Sequence, residues 1–321
     1  MAKKLNKKIL ITRKFPHPLL KLLDENFHIE YFDNEDPLPR KTLVKSIQDC
    51  DGVVCSLNDK LDEKLLQQSK RLKIISTYSV GYDHIDLKYA QKSNIVVTNT
   101  PDVLTDATAE IAILLLLGAA RRATEGRKWV DKKNWSWSAD FLIGKQLTGR
   151  SLGILGMGRI GQAVAERAKS FGMKINYYNR KKLSSNLEKG AIYHESLKSL
   201  IKVSDFFSIN CPVTEKTKKI INKETLSYFP DGAVIINSAR GDMIDDEAMV
   251  DVLKSIKIFS LGLDVYNGEP DIHPQYLKLE NVFILPHLGS ATEETRIAMA
   301  NLAINNIEEY FQTGKCKNTV N

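Results

Sequence analysis

Three side chains in the second half of the chain have types suited to work on a carbonyl group: Arg240, Glu269 and His287, each placed just beyond an apolar, strand-like run. The guanidinium of Arg240, in Asn237-Ser-Ala-Arg240-Gly241, can hold a carboxylate through paired charge-assisted hydrogen bonds and polarise a ketone oxygen. The imidazole of His287, in Leu285-Pro-His287-Leu-Gly-Ser-Ala-Thr292, can give up a proton near neutral pH. A nearby carboxylate on Glu269, in Gly268-Glu269-Pro270, would favour the imidazolium and fix the ring. Asp264 closes the strand-like run before Glu269 and faces the same crevice. Residue types and spacing alone also allow a surface salt bridge for Arg240 and a structural role for His287.

Such groups need a frame. Short β-rich apolar runs alternate with helix-like segments at 9–12, 52–55, 73–76, 95–98, 151–155, 174–178, 206–209, 233–237, 261–265 and 282–285. Near-continuous apolar strands spaced by helices predict parallel α/β sheets covered on both faces, with ligands at the carboxyl ends of the strands. Ten strands exceed one ordinary sheet. After Asn99-Thr100, Pro101 stops strand propagation and a helical pattern over 103–122 begins, which puts a domain cut there. A second long helix is predicted over 292–311, with Ile297, Ala300, Ile304, Ile307 and Phe311 on one face and Glu293 and Glu294 at its positive end; either domain offers a surface for it.

The run 151–155 leads at once into Gly156-Met157-Gly158-Arg159-Ile160-Gly161, and Ile160, Val164, Ala168 and Phe171 mark one face of the helix that follows. This is G-x-G-x-x-G in its strand-to-helix context: Gly156 for the tight turn, Gly158 for close approach of a pyrophosphate, Gly161 for close helix packing. A bound dinucleotide is expected. The next strand ends in Asn179, followed by Arg180 and Lys181, where an acidic residue would take the ribose hydroxyls of NAD. Asn179 removes the repulsion of a 2′-phosphate, Arg180 can pair with it and Lys181 adds a point charge, so NADP is favoured over NAD. An ordinary exposed turn is the alternative, as Lys182 beside them suggests.

The chain has 321 residues, 43% hydrophobic and 26% charged, a globular balance long enough for two domains. The longest apolar run, 111–120, is too short to span a membrane, and the basic N-terminus precedes too brief an apolar stretch for a signal peptide, so no membrane and a cytoplasmic location are expected. Cys50, Cys55, Cys211 and Cys316 show no C-x-x-C pair and no ligand spacing with the six His, which argues against disulfides and against a metal site. The net charge of +7 comes from scattered Lys without interleaved aromatics, so no nucleic acid partner is expected.

From Thr77-Tyr-Ser-Val-Gly-Tyr-Asp-His-Ile-Asp86, through Thr98-Asn-Thr-Pro-Asp-Val-Leu-Thr-Asp-Ala-Thr-Ala-Glu110 and the glycine motif, to Ser238-Ala-Arg-Gly241 and Pro286-His-Leu-Gly-Ser290, the chain resembles the D-isomer-specific 2-hydroxyacid dehydrogenases. Within that family it is most similar to the glyoxylate and hydroxypyruvate reductases, through Asn179-Arg-Lys181 and through Trp137 preceding Phe141-Leu-Ile-Gly144. The resemblance covers nearly the whole length. It implies two doubly wound parallel-sheet α/β domains, Rossmann-like and flavodoxin-like, with an interdomain cleft that closes on its ligands. Residues 1–100 plus 288–321 would form the flavodoxin-like substrate-binding domain and 101–287 the NAD(P)-binding Rossmann domain.

The same resemblance makes Arg240 the binder of substrate carboxylate and carbonyl, His287 the proton donor and Glu269 the group that orients and charges it. It gives the backbone amides of Val80 and Gly81 to the substrate carboxylate, with Leu57 near the pocket. Asp264 would meet the nicotinamide amide, and Cys211-Pro212 with Thr217 the cofactor. Ser238, Ala239 and Gly289 would line the same crevice beside Arg240 and His287. Trp137 is expected to reach a partner subunit's pocket in a homodimer, the alternative being that Trp135 and Trp137 are packing residues. The expected reaction is NADPH-dependent reduction of glyoxylate or hydroxypyruvate to glycolate or D-glycerate. Another D-2-hydroxy acid (from pyruvate or 2-ketogluconate), a formate or phosphite dehydrogenase, and a dinucleotide-sensing corepressor are the rival readings, the last because a fold alone never fixes function.

Overall fold

Near-continuous apolar runs become strands buried on both faces, as parallel strands covered by helices must be. The computed structural model describes residues 6–14, 26–133 and 135–321. Contacts divide the chain into one unit of Met1–Leu104 with Ser290–Asn321 and another of Thr105–Gly289.

In the first unit β1 (Lys8–Ile11), β2 (His28–Tyr31), β3 (Gly52–Cys55), β4 (Ile74–Thr77) and β5 (Val96–Thr98) form a parallel sheet in the order β2-β1-β3-β4-β5. That is the flavodoxin order, which reverses between β1 and β3. The helix Glu293–Thr313 covers one face with buried Met299, Ala300, Ala303, Ile304 and Ile307, and the Ser76 hydroxyl donates to Ala303 O at 2.9 Å. Ile297, expected on that face, is 38% exposed. Residues turn by about 100° each along a helix, so a stripe centred near Ala303 leaves Ile297 at its margin. The chain end then runs antiparallel beside β5, with Val320 N donating to Val97 O at 2.9 Å and a bridge between Thr98 and Thr319.

In the second unit β6 (Ser151–Leu155), β7 (Lys174–Tyr178), β8 (Ile192–Tyr193), β9 (Phe206–Ile209), β10 (Ala233–Asn237), β11 (Ile258–Leu263) and β12 (Val282–Ile284) give the order β12-β11-β10-β9-β6-β7-β8, again all parallel. This is the Rossmann winding extended by one strand, with its reversal between β6 and β9. Two of these twelve strands, β2 and β8, were not expected from the sequence. Both are edge strands: His28-Ile-Glu-Tyr31 is half polar, and β8 has only two residues with Ile192 59% exposed. A strand paired on one side needs no unbroken apolar run.

The helix Thr105–Ala120 is apolar almost all round, the composition of a buried helix, and it packs on β10 and β11. The Ser260 hydroxyl on β11 donates to Ala119 O at 2.9 Å. Among the described residues no helix is long and apolar enough to cross a membrane.

A Cβ at Gly118 would stand 2.5 Å from two carbons of the Phe283 ring on β12. Gly118→Ala should therefore destabilise the second unit by about 1–3 kcal/mol, the usual cost of overpacking. Urea unfolding should show the midpoint falling, and an unchanged midpoint would mean that the ring moves freely.

Candidate active site

The glycine loop sits at the reversal of the second sheet. Gly156 has φ +95°, and a Cβ there would lie 2.7 Å from both the backbone nitrogen and the Cβ of Cys211, the residue beyond β9. A Cβ on Gly161 would lie 2.3 Å from Gly156 O, so the helix Arg159–Ser170 rests directly on the turn. Gly158 is different: its φ is −78° and a Cβ would meet nothing within 4 Å. Nothing in the protein requires glycine there, whereas a ligand approaching the backbone would. Gly158 is also the N-cap and, having no side chain, supplies no cap to the first turn, an anion-binding arrangement.

At the end of β7, Asn179 Oδ1 accepts a hydrogen bond of 2.7 Å from Met157 N and so ties the second strand to the glycine loop. Arg180 and Lys181 are exposed beside it. The positive charge of Arg180 reaches Cys211, whose thiol is pushed up to about 12, mainly by burial, which leaves it protonated. The turn after Cys211 and Pro212 is closed by Thr217: its hydroxyl donates to Pro212 O at 2.8 Å and accepts from Thr214 N at 2.7 Å. At the ends of β9 and β10, Asn210 Oδ1 and Ser238 Oγ are buried without a hydrogen-bond partner. Buried polar atoms are seldom left so. Together with open Gly158 and the uncapped helix, they fit a bound dinucleotide.

The loop after β10 is shaped by buried Asn237, which accepts from Ala239 N at 2.9 Å and donates to Arg240 O at 2.8 Å. Arg240 Nη1 also donates to Ala239 O at 2.7 Å. Gly241 then lets this loop touch the next, since a Cβ there would lie 1.9 Å from Tyr266 C and 2.1 Å from Asn267 N. That contact brings Arg240 towards Glu269. Glu269 Oε1 accepts from Tyr266 N at 2.8 Å, and Glu269 Oε2 lies 2.7 Å from His287 Nδ1. Burial would raise the Glu269 pKa, but its bond to His287, the charge of that ring, the Tyr266 amide and the charge of Arg240 outweigh it and hold it below the usual range.

His287 has φ +56°, the left-handed region that residues with a Cβ adopt rarely. Asp264, at the end of β11, fixes this turn: its two oxygens accept from Leu288 N at 2.7 Å and Gly289 N at 2.8 Å, while Thr108 Oγ1 donates to Gly289 O at 3.0 Å. Burial pushes the Asp264 carboxyl up to about 6 despite these two amides and the charge of His287. The arrangement keeps one ring nitrogen of His287 oriented by a carboxylate that also feels the charge of Arg240.

In the first unit, Leu57 follows β3, and Val80 and Gly81 follow β4, on loops at the carboxyl edge of that sheet. The carbonyls of Val80 and Gly81 are engaged by Asn99 Nδ2 at 2.9 Å and Ser79 Oγ at 2.6 Å, and no described residue accepts from their amides. Trp135 and Trp137 are 57% and 83% exposed. Asn237, Tyr266 and Thr108 hold the loops of the site without having been singled out from the sequence, because each acts through a hydrogen bond that involves a main-chain group rather than through a recognisable spacing.

The model of the family described as "D-isomer specific 2-hydroxyacid dehydrogenase, NAD binding domain" matches residues 113–289. A glyoxylate reductase from Pyrococcus furiosus is 40% identical over 306 residues, covering 94% of this chain and 91% of the relative. A glycerate dehydrogenase from Hyphomicrobium methylovorum is 40% identical, covering 95% of this chain and 96% of the relative. The crystal structure of an NADPH-dependent glyoxylate/hydroxypyruvate reductase from Sinorhizobium meliloti, in complex with NADP and malonate, superposes with a TM-score of 0.87 at 33% identity, covering 98% and 97% of the two chains.

The raised pKa of Asp264 has a measurable sign. The folded protein keeps this proton at pH values where the unfolded chain has lost it, so Asp264's contribution to stability is complete below the ordinary carboxylate range and is lost as pH rises through about 6. Asp264→Asn should flatten the decline of stability between about pH 4 and 6. Urea unfolding across that range should reveal the difference, and parallel stability curves would refute the raised pKa of Asp264.

Proposed function

The chain belongs to the D-isomer-specific 2-hydroxyacid dehydrogenase family, and from that premise we propose that it reduces a small 2-keto acid, glyoxylate or hydroxypyruvate, to glycolate or D-glycerate with NADPH in preference to NADH. The observation that carries this reading is the pair of His287 Nδ1 and Glu269 Oε2 at 2.7 Å, beside a guanidinium whose charge reaches the same carboxylate. Glu269 takes the Nδ1 proton of the ring in a hydrogen bond and leaves Nε2 as the proton donor. His287 passes that proton to the oxygen of the reacting carbonyl as it becomes an alkoxide, and Arg240 stabilises the charge on it. A carboxylate beside the ring suits proton delivery, which oxidation of formate to carbon dioxide does not require.

The glycine loop Gly156–Gly161 with Met157, the orphaned Ser238 and Asn210, and the Cys211-Pro212 turn would hold the dinucleotide, which when bound supplies the hydride. Thr217 serves by closing that turn and Asp264 by fixing the His287 turn, and Ala239 and Gly289 line the same edge of the sheet. At the end of β7 no carboxylate opposes a 2′-phosphate, and Arg180 and Lys181 are free to meet it. Residues 1–100 with 288–321 bind substrate in this reading, the amides of Val80 and Gly81 taking its carboxylate and Leu57 lining its path. The exposed rings of Trp135 and Trp137, with Val130 and Ile143 at 56% and 60% exposure, support a homodimer in which Trp137 enters a partner's pocket. Four free thiols accord with a cytoplasmic enzyme.

Purified protein should oxidise NADPH when given glyoxylate or hydroxypyruvate, and His287→Asn should lose on the order of 10²–10⁴ in turnover. Near-normal turnover in that variant would exclude the proton donor. Arg180→Ala should raise KM for NADPH far more than for NADH, since only the former carries the extra phosphate. Equal losses for both would remove Arg180 from the phosphate site.

A further inference from the structure

The loop after β4 offers two amides, those of Val80 and Gly81, whose directions are set by hydrogen bonds made on the other side of the same peptide groups. A trans peptide is planar, with C=O and N–H pointing opposite ways, so tying down a carbonyl aims the amide that shares its plane. Ser79 O accepts from Thr100 N at 3.0 Å and thereby aims the amide of Val80. Val80 O accepts from Asn99 Nδ2 at 2.9 Å and thereby aims the amide of Gly81. The second plane has the greater need of a tie, because Gly81 has no Cβ to resist its rotation.

Asn99 is itself held on both sides. It is 8% exposed, its O accepts from Asn306 Nδ2 at 3.0 Å, and its N donates to Asn318 O at 3.3 Å. Asn306, 1% exposed in the last helix, has its own Oδ1 bound by Asn318 Nδ2 at 2.8 Å and approached by Cys316 Sγ at 3.3 Å. Because Val80 O can only accept, the side-chain amide of Asn99 faces it with its NH2.

A second chain of donors fixes the plane that follows. Ser79 Oγ gives its proton to Gly81 O at 2.6 Å, so it must accept from Thr77 Oγ1 at 2.8 Å, and Thr77 in turn must accept from His84 Nε2 at 3.0 Å. Both ends of the Val80-Gly81 turn are therefore restrained by side-chain hydrogen bonds.

We propose that Asn99 is a positioning residue for substrate recognition: by holding Val80 O it aims the Gly81 amide at the carboxylate of the 2-keto acid, and so confers preference for an acid over an uncharged analogue. The inference rests on the reading that these amides take the substrate carboxylate. Removing the donor leaves the amide present but unaimed, which weakens carboxylate binding without touching the proton donor or the cofactor site.

The test compares glyoxylate with its ethyl ester, using Asn99→Ala and the shape-preserving Asn99→Leu, with NADPH affinity measured by fluorescence as the check that each variant is folded. KM for glyoxylate should rise about tenfold, the loss expected for a hydrogen bond to a charged group. Turnover should stay within about threefold, NADPH affinity should hold, and the preference for acid over ester should fall by about the same tenfold factor. Equal losses on acid and ester would mark Asn99 as merely structural and overturn the proposal. A parent protein that turns over neither compound would instead overturn the reading on which it rests. If Asn99→Ala does not fold, Asn99→Leu gives the same comparison, and an unchanged acid-to-ester ratio in either folded variant is decisive against the role.

Discussion

The left-handed turn at His287 is the constraint on which the second unit's chemistry depends. A residue with a Cβ held in a sparsely populated region costs of the order of 1–3 kcal/mol. Against this stand three hydrogen bonds with ionised partners: Glu269 to the ring and Asp264 to the two following amides. Together they hold the turn and the ring in place, although burial of the Asp264 carboxylate offsets part of what its two bonds contribute. The backbone turn and the ring orientation are thus set by different carboxylates, and the imidazole is fixed from behind as well as in front.

Those two carboxylates have opposite outcomes, Asp264 being 1% exposed and the Glu269 side chain 25%. Asp264 has backbone amides as its hydrogen-bond donors, and burial wins, so its carboxyl rises to about 6. Glu269 adds an imidazole and the charge of Arg240 to one amide, and the partners win, so its carboxyl falls. The distinction separates two tasks. A carboxylate held low can remain the counterion of a ring that gains and loses a proton, whereas one held only by amides works as a geometric clamp. Gly241 is what allows Arg240 to take part, because any side chain there would collide with the backbone at Tyr266 and Asn267.

Much of this was legible in the sequence, and the reasons differ from residue to residue. Interior strands announce themselves by unbroken apolar runs, which is why β9 and β10 were placed residue for residue while the half-polar edge strand β2 was passed over. The glycine loop was readable because Gly156 and Gly161 answer to separate steric demands within the chain and Gly158 leaves room for a ligand, in a fixed order. Arg240, Glu269 and His287 could be named by type, but neither their proximity nor the clamp by Asp264 follows from spacing, since they sit on three different loops joined by contacts distant in sequence. Asn99 shows the limit most plainly: its side chain acts on a backbone carbonyl, so its task depends on the direction of a peptide plane, for which residue type carries no signal.

The row of strand ends beside the glycine loop adds an energetic argument for what this unit was shaped to hold. Asn210 Oδ1 and Ser238 Oγ lie just beyond adjacent strands, buried and without partners. An unsatisfied buried polar group costs about 1–3 kcal/mol, a penalty that a fold has no reason to keep twice in one place unless something else removes it. The uncapped first turn beyond Gly158 and the spare steric room at that glycine follow the neighbouring strand β6, which pairs with β9. Donors and acceptors left open on three consecutive strand ends describe one elongated ligand, with anionic oxygens at the helix and polar groups further along. A dinucleotide has that distribution, and binding it would stabilise the folded unit by satisfying groups that the chain alone leaves bare.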